Sequence, residues 1–475
     1  MALDGGEVQD WGIQPGAEPR FAPFCYEPLE KDAPFFKALY YLSKNPIELL
    51  TRELYENAVS EKTFLGRRAF FLNEPELTKY FFVDRSDVYT IDPVRKLLLK
   101  PGFGSGLASI DGAAWEENRS LTRRYFKSDR LLQYADKFLR TTKDACREIG
   151  SEAEVDLQRF LSRIGLRSAI ACLFSTEAPF GIDRSVEAFN NVMKYHMTVD
   201  AADVFLLPHF VPRFWKRSAA RPLRTCHRIA KAVVDARIAE MQGGEVPDDL
   251  LSAYFDKWVS GDRPTRAERR HVQDNVGTML GASFETTSLT MTWTLYFLLN
   301  CPASAAKVEE EIAAAPHRGE PLTRWGKALP YTTAVLMEAL RVYPILPAIV
   351  RYATEEDGAG LPEAHIRSGD FIVANLWTQH RDESRWSDAQ TFRPERFLNR
   401  TEAVVRQGGY FPFGIGPRGC IGAQFAMIEA VIVLVTLLET FELELLASDE
   451  VRPQWRGTLR PDRPIPVRLR RRAIH

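Results

Sequence analysis

No two of the six cysteines in this 475-residue sequence form a CxxC pair, and Cys25, Cys146, Cys172, Cys226, Cys301 and Cys420 follow no regular spacing. A chain this long buries a core without covalent staples, so the pattern points to a reducing compartment rather than a disulfide framework. An excess of one charge sign is also missing. With 62 Lys plus Arg against 63 Asp plus Glu, no global field draws the chain to nucleic acid, and a charge-guided partner must use a local patch. No apolar run opens the sequence: the first 32 residues hold seven acidic and two basic side chains, which suits neither a signal nor an anchor segment and implies a cytoplasmic protein without a membrane anchor. Repeats, low-complexity tracts and Gly/Ser linkers are absent too. Length alone would suggest about three ordinary domains, but with no divider the reading is one domain over residues 1–475, in which residues 1–30 carry no motif.

Long uncharged runs are scarce. One, Thr286 to Ala306, carries no charge for 21 residues, enough to be weighed as a membrane span. Its threonines, Ser288, Asn300 and Pro302 load it with more polarity than lipid tolerates, so it reads as part of a buried core helix. Strand signals are few and short, at Thr63 to Leu72, Ile349 to Tyr352, Phe371 to Leu376 and Ile465 to Leu469. What is abundant is helical spacing of apolar residues, over Phe35 to Ala58, Trp115 to Ile149, Leu157 to Phe174, Arg224 to Met241, Ala267 to Asn300, Thr332 to Val342 and Ala423 to Phe441. The expected fold class is mainly α with a small β lobe. Pro179 to Pro222, broken by Pro208 and Pro212, reads as short helices joined by turns, and Pro93 to Gly112 as a Gly-rich loop. Both are candidate walls or lids of a pocket.

Chemistry concentrates in four places. Cys420 alone would be a small buried hydrophobe, but Gly414, Gly416, Gly419 and Gly422 with Pro417 form a tight loop around it, and a helix begins just after the sulfur. A thiolate there gains from the helix dipole and loop N–H groups, which lower the thiol pKa. The glycines admit a flat macrocycle, and Phe413 can shield the sulfur. Glu285 and Thr286 lie in mid-helix; alone, Thr286 would bond back to a carbonyl one turn earlier, and a buried Glu285 is costly unless satisfied. Glu338 and Arg341 share one helix face, a spacing that is often only a solvated ion pair. Trp115 and Arg119, one turn apart, can point together at a carboxylate.

Phe413-x-x-Gly416-x-Arg418-x-Cys420-x-Gly422 resembles the haem-binding signature of cytochromes P-450, and the other pieces fall in that family's order through nearly the whole chain. The resemblance implies a soluble, bacterial-like member with a triangular-prism fold, in which haem b (iron protoporphyrin IX) lies between the long central helix and the Cys-loop helix. Cys420 would ligate the iron, Phe413, Gly416 and Gly422 would shape the loop under the ring, and Trp115, Arg119, Arg351 and Arg418 would meet the propionates. Thr286 would hold water beside bound oxygen, and Glu285 would help relay the protons that split the O–O bond. Ser283 stands where the family usually has Gly, which narrows or adds polarity to that groove. Glu338, Arg341 and Arg396 would join into a buried triad anchoring the loop, and His380 is read as structural.

The function so implied is a monooxygenase that uses dioxygen and oxidises a small apolar substrate. With 55 residues after Cys420, there is no room there for a fused redox domain, so a ferredoxin or flavodoxin and a reductase would be separate chains. Arg123 and Arg124 would offer them a basic patch. The alternatives are a peroxide-using haem-thiolate enzyme and a non-catalytic haem sensor. Phe205, Leu206, Leu207, Leu346, Ile349, Trp455 and Leu459 would line the substrate pocket.

Overall fold

The computed structural model describes residues 21–64, 66–176, 181–199, 201–204, 207, 214–244, 246–261, 263–358, 361, 365–398, 409–447 and 449–473. The first helix, α1 (Phe35–Lys44), stops where Asn45, the residue before Pro46, is driven into extended backbone at φ −160°. The single helix expected over Phe35 to Ala58 is therefore three short helical pieces. β1 (Val59–Phe64) and β2 (Arg67–Leu72) form a hairpin turning at Gly66, φ 74°, where one strand was expected.

β3 (Tyr89–Ile91) leads into α2 (Pro93–Phe103), which replaces the loop expected over Pro93 to Gly112. The Asp92 carboxylate accepts the Arg95 N–H at 2.7 Å, and Pro93 takes the first helical position, where no N–H is needed. α3 (Gly112–Arg123) and α4 (Ser128–Ile149) are two helices divided by a tight turn, not the one continuous helix expected. After β4 (Glu152–Asp156) come α5 (Leu157–Phe174), α6 (Ile182–Tyr195), α7 (Ala220–Met241) and α8 (Leu250–Trp258).

α9 (Arg266–Asn300) is 35 residues long, starts at a Thr265–Glu268 capping box and forms the middle of the core. The uncharged stretch fills its second half and is almost wholly buried in protein. α5 lies so close that a Cβ on Gly165 would sit 3.1 Å from the Phe284 carbonyl. α10 (Pro302–Ala313) and α11 (Pro330–Val342) follow, then β5 (Ile349–Ala353) and β6 (Phe371–Ala374). α12 (Ala423–Thr440) is the one helix among the described residues long and apolar enough to cross a bilayer, and more than half of it is buried in the core.

The chain ends in β7 (Phe441–Leu445), β8 (Pro453–Arg456), β9 (Thr458–Pro461) and β10 (Pro466–Arg471). One sheet has the order β1-β2-β6-β5-β3, with β2 and β6 parallel. A second is β4-β10-β7, and β8 and β9 form a separate hairpin. The architecture is mainly α with small sheets. A large apolar core surrounds α9, and a smaller one backs the five-stranded sheet. Between them lies a cavity of about 1030 Å³ walled by α9, the start of α12 and strands of the five-stranded sheet.

Candidate functional site

The loop before α12 is shaped by its own backbone. Gly414 N–H donates to the Phe411 carbonyl at 2.9 Å, Gly419 to Gly416 at 2.9 Å, and Cys420 to Phe413 at 2.8 Å. Gly416, at φ 78°, is packed so tightly on the Phe82 carbonyl that any Cβ would collide with it. The result presents Cys420, with Phe413, Gly419 and Gly422, to the cavity. Cys420 has accessible surface and lines the cavity. Burial pushes its thiol above the ordinary pKa, while the Gly422 backbone and the Arg119 guanidinium pull it down. Desolvation thus opposes the lowering expected from the helix terminus and the loop N–H groups. A metal cation at the sulfur would reverse the balance.

A ring of cations accompanies the sulfur. Arg119 donates to the Gly419 carbonyl at 2.7 Å, and Arg119 and Arg418 both lie against the Trp115 ring, at 5.7 and 4.2 Å from its centroid. Arg418 also pairs with Asp111. Arg351 is buried over the Phe82 ring at 4.8 Å. Burial, then the neighbouring Arg95 and Arg418, pull its pKa down to about 9, against weaker support from Asp92 and Asp111. Arg95, on the first turn of α2, also lines the cavity and was missed because that segment read as loop. Several guanidiniums on one cavity wall, short of anions, with a sulfur donor and a glycine cradle beside them, fit a flat metallo-macrocycle bearing carboxylates.

Across α9 the geometry departs from the simplest expectation. Thr286 reaches the cavity wall, but its hydroxyl donates to the Ala282 carbonyl at 2.9 Å, the bond back along the helix. Ser283 likewise bonds to Met279 at 2.6 Å. Glu285 touches the cavity yet is 1% exposed, and its Oε1 pairs with Arg460 and accepts from Thr458 Oγ1 at 3.1 Å. Burial outweighs both partners and holds this carboxyl above the usual range. The signal that could have found Arg460 is the cost of a buried acid in mid-helix, which demands a cation from elsewhere in the chain.

The anchoring triad forms. Glu338 accepts from Arg341 at 2.8 Å through each oxygen and from Arg396 Nε at 3.0 Å, and the Arg393 N–H adds 2.9 Å. Arg341 continues to the carbonyls of His380, Ala389 and Thr391 at 2.7 to 3.0 Å. His380 is fully buried. Its Nδ1 lies 3.2 Å from the Arg341 carbonyl and its Nε2 accepts the Phe411 N–H at 3.3 Å, which fixes a neutral tautomer and links the triad to the Cys420 loop.

Among the expected pocket residues, Leu346, Ile349 and Trp455 line the cavity. Leu459 does not: it is buried in the core, where its carbonyl accepts the Trp293 indole N–H at 3.0 Å. Leu207 lies exposed at the surface, and Phe205 and Leu206 lie outside the described residues. Arg123 and Arg124 are exposed at the end of α3.

The family model for cytochrome P-450 matches residues 34–468. Among curated relatives, cytokinin hydroxylase of Arabidopsis thaliana is 27% identical over 411 residues, covering 82% of this chain and 76% of its own. Cyclooctatin synthase of Streptomyces melanosporofaciens is 27% identical over 397 residues, covering 82% and 84%. Steroid 17-alpha-hydroxylase/17,20 lyase of Ictalurus punctatus is 26% identical over 379 residues, covering 74% and 72%. With the family model spanning most of its length, the chain belongs to the cytochrome P-450 family, the haem-thiolate monooxygenases whose cofactor is haem b.

Proposed function

We propose that this monooxygenase oxidises a small apolar organic molecule with dioxygen, in a single catalytic domain, and draws its electrons from a separate ferredoxin or flavodoxin and its reductase. The observation that carries the reading is Cys420 at the head of α12, its sulfur facing a largely apolar cavity whose wall also includes the Glu285–Thr286 turn of α9. When bound, haem supplies the iron at which dioxygen is reduced. Cys420 provides the sulfur ligand on a loop shaped by Phe413, Gly416 and Gly422. Arg95, Arg119, Arg351 and Arg418, with Trp115, would hold the propionates. Leu346, Ile349 and Trp455 exclude water and orient the substrate. Thr286 can hold a water once its hydroxyl leaves the Ala282 carbonyl, and Glu285 is the nearby carboxyl able to pass it a proton. Exposed Arg123 and Arg124 suit an acidic electron donor, and buried free cysteines suit a reducing cytoplasm.

Reduced protein under carbon monoxide is expected to show the red-shifted absorption band of thiolate ligation, and Cys420→His to lose it. Retention of the band in that variant would overturn the reading of Cys420. Substrates are then sought as apolar compounds that shift the ferric haem band and make consumption of reduced nicotinamide, with added redox proteins, depend on their presence. One observation favours a second reading, a peroxide-using enzyme: Glu285 is paired with Arg460 and must leave it before passing a proton. Product formed from hydrogen peroxide at a rate matching that with electron donors would select it.

A further inference from the structure

Glu285 meets the carboxy-terminal hairpin through one oxygen only. Oε1 takes the Arg460 guanidinium and the Thr458 hydroxyl, whereas the equally buried Oε2 has no hydrogen-bond partner among the described residues. A half-satisfied buried carboxyl has two places to go: against the hairpin, or toward the cavity that its side chain already borders. The hairpin itself borders that cavity, through Trp455, Gly457 and Thr458. Gly457, at φ 73°, turns the hairpin against Met193 and Met197, so closely that a Cβ would sit 2.9 Å from the Met197 Cβ. An occupant pressing on this turn therefore also presses on the strands that carry Thr458 and Arg460.

We propose that the β8–β9 hairpin is a latch on Glu285: Arg460 and Thr458 hold the carboxyl against the hairpin, and a bound molecule displacing Trp455 and Gly457 releases it toward Thr286. Arg460 is a positioning residue in this scheme, since it acts through Glu285. The groups facing the carboxyl are few. Arg460 and Thr458 come from the hairpin, Arg456 stands beside Arg460, and on α9 itself the neighbouring Ser288 hydroxyl is spent on the Glu285 carbonyl at 2.9 Å. Oxygen reduction would then receive protons from Glu285 only with the cavity filled. The proposal rests on the monooxygenase reading of the site.

The test uses haem-loaded full-length protein and infrared difference spectra at neutral pH, with clotrimazole, a bulky azole, as the probe. Binding is expected to change the carboxyl stretching band of Glu285, identified by its absence in Glu285→Gln. Arg460→Met should show the released band before the probe is added and no further change on binding, while Arg460→Lys should keep the response. A carboxyl band that ignores clotrimazole in the parent, or an undiminished response in Arg460→Met, overturns the latch. The carbon monoxide complex of the same samples separates the two claims: a normal thiolate band with an unresponsive Glu285 removes the latch alone, and loss of the band in the parent removes the site reading with it.

Discussion

Arg351 carries a charge that burial resists, with Arg95 and Arg418 adding repulsion. A carboxylate brought to it would relieve both penalties at once, so its proposed contact with a haem propionate would be of the strong, charge-assisted kind, roughly 1.5–3 kcal/mol. Arg351→Leu is expected to release haem to an acceptor globin about ten- to a hundredfold faster, and Arg95→Leu to do so by a smaller factor. Unchanged transfer rates would remove these two residues from the propionate site. Glu429, on α12, bears on stability instead. Burial pushes its carboxyl up to about 8, against a hydrogen bond with Ser168. The folded chain keeps a proton that the unfolded chain releases above pH 4.5, so the contribution of Glu429 to stability falls as pH rises from 4.5 to 8, by at most about 1.4 kcal/mol per unit. Glu429→Gln should remove that slope, raising Tm over the parent at pH 8 and little at pH 4.5. An equal gap at both pH values would refute the assignment.

At the scale of elements, α11 and the Cys420 loop are joined through His380, whose pKa burial first, and Arg341 next, lower to about 3. The folded ring stays neutral where the unfolded one, at 6.5, takes up a proton. Its stabilising effect is complete above pH 6.5 and is lost as pH falls toward 3. The contribution of His380 to the urea unfolding free energy should therefore drop in that window by up to about 1.4 kcal/mol per pH unit, read as the difference between the parent and His380→Asn. Glu338→Gln attacks the same junction directly. It leaves Arg341 and Arg396 as buried cations without their acid, a loss of roughly 3–5 kcal/mol, measured by the same unfolding experiment.

Elements were legible where signal and cause are both local. α9 carries its capping box and its long apolar run within its own sequence, and α12 follows its glycine loop directly. α2 was misread because Asp92, Pro93 and Gly104 are turn formers in isolation but cap and terminate a helix here. Pro46 broke α1 by acting on its predecessor, Asn45. The site divides the same way. The Cys420 loop is one continuous motif, whereas Arg95 and Arg460 earn their positions from partners remote in the chain. Arg460 lies 175 residues from Glu285, a distance that no periodicity or spacing rule reaches.

For the whole molecule, near-zero net charge concentrates attention on local patches, and Arg123 and Arg124 form one where α3 ends. Replacing both with Glu is expected to raise the KM for an acidic electron donor several-fold at low salt while leaving kcat at saturating donor nearly unchanged, and added salt should shrink the difference. A donor KM that ignores both changes would place docking elsewhere. Two pairings close the molecule over long distances. β2 pairs with β6, Ala69 opposite Phe371, and β10 lies between β4 and β7, with Arg468 bonded to Glu154 and Glu444. A ribosome that has delivered everything through Cys420 has still not delivered Arg460 or the middle strand of the second sheet. The wall of the cavity is thus finished only once Trp455 to Thr458 has emerged, so that late segment, rather than the appearance of Cys420, decides when the pocket can close.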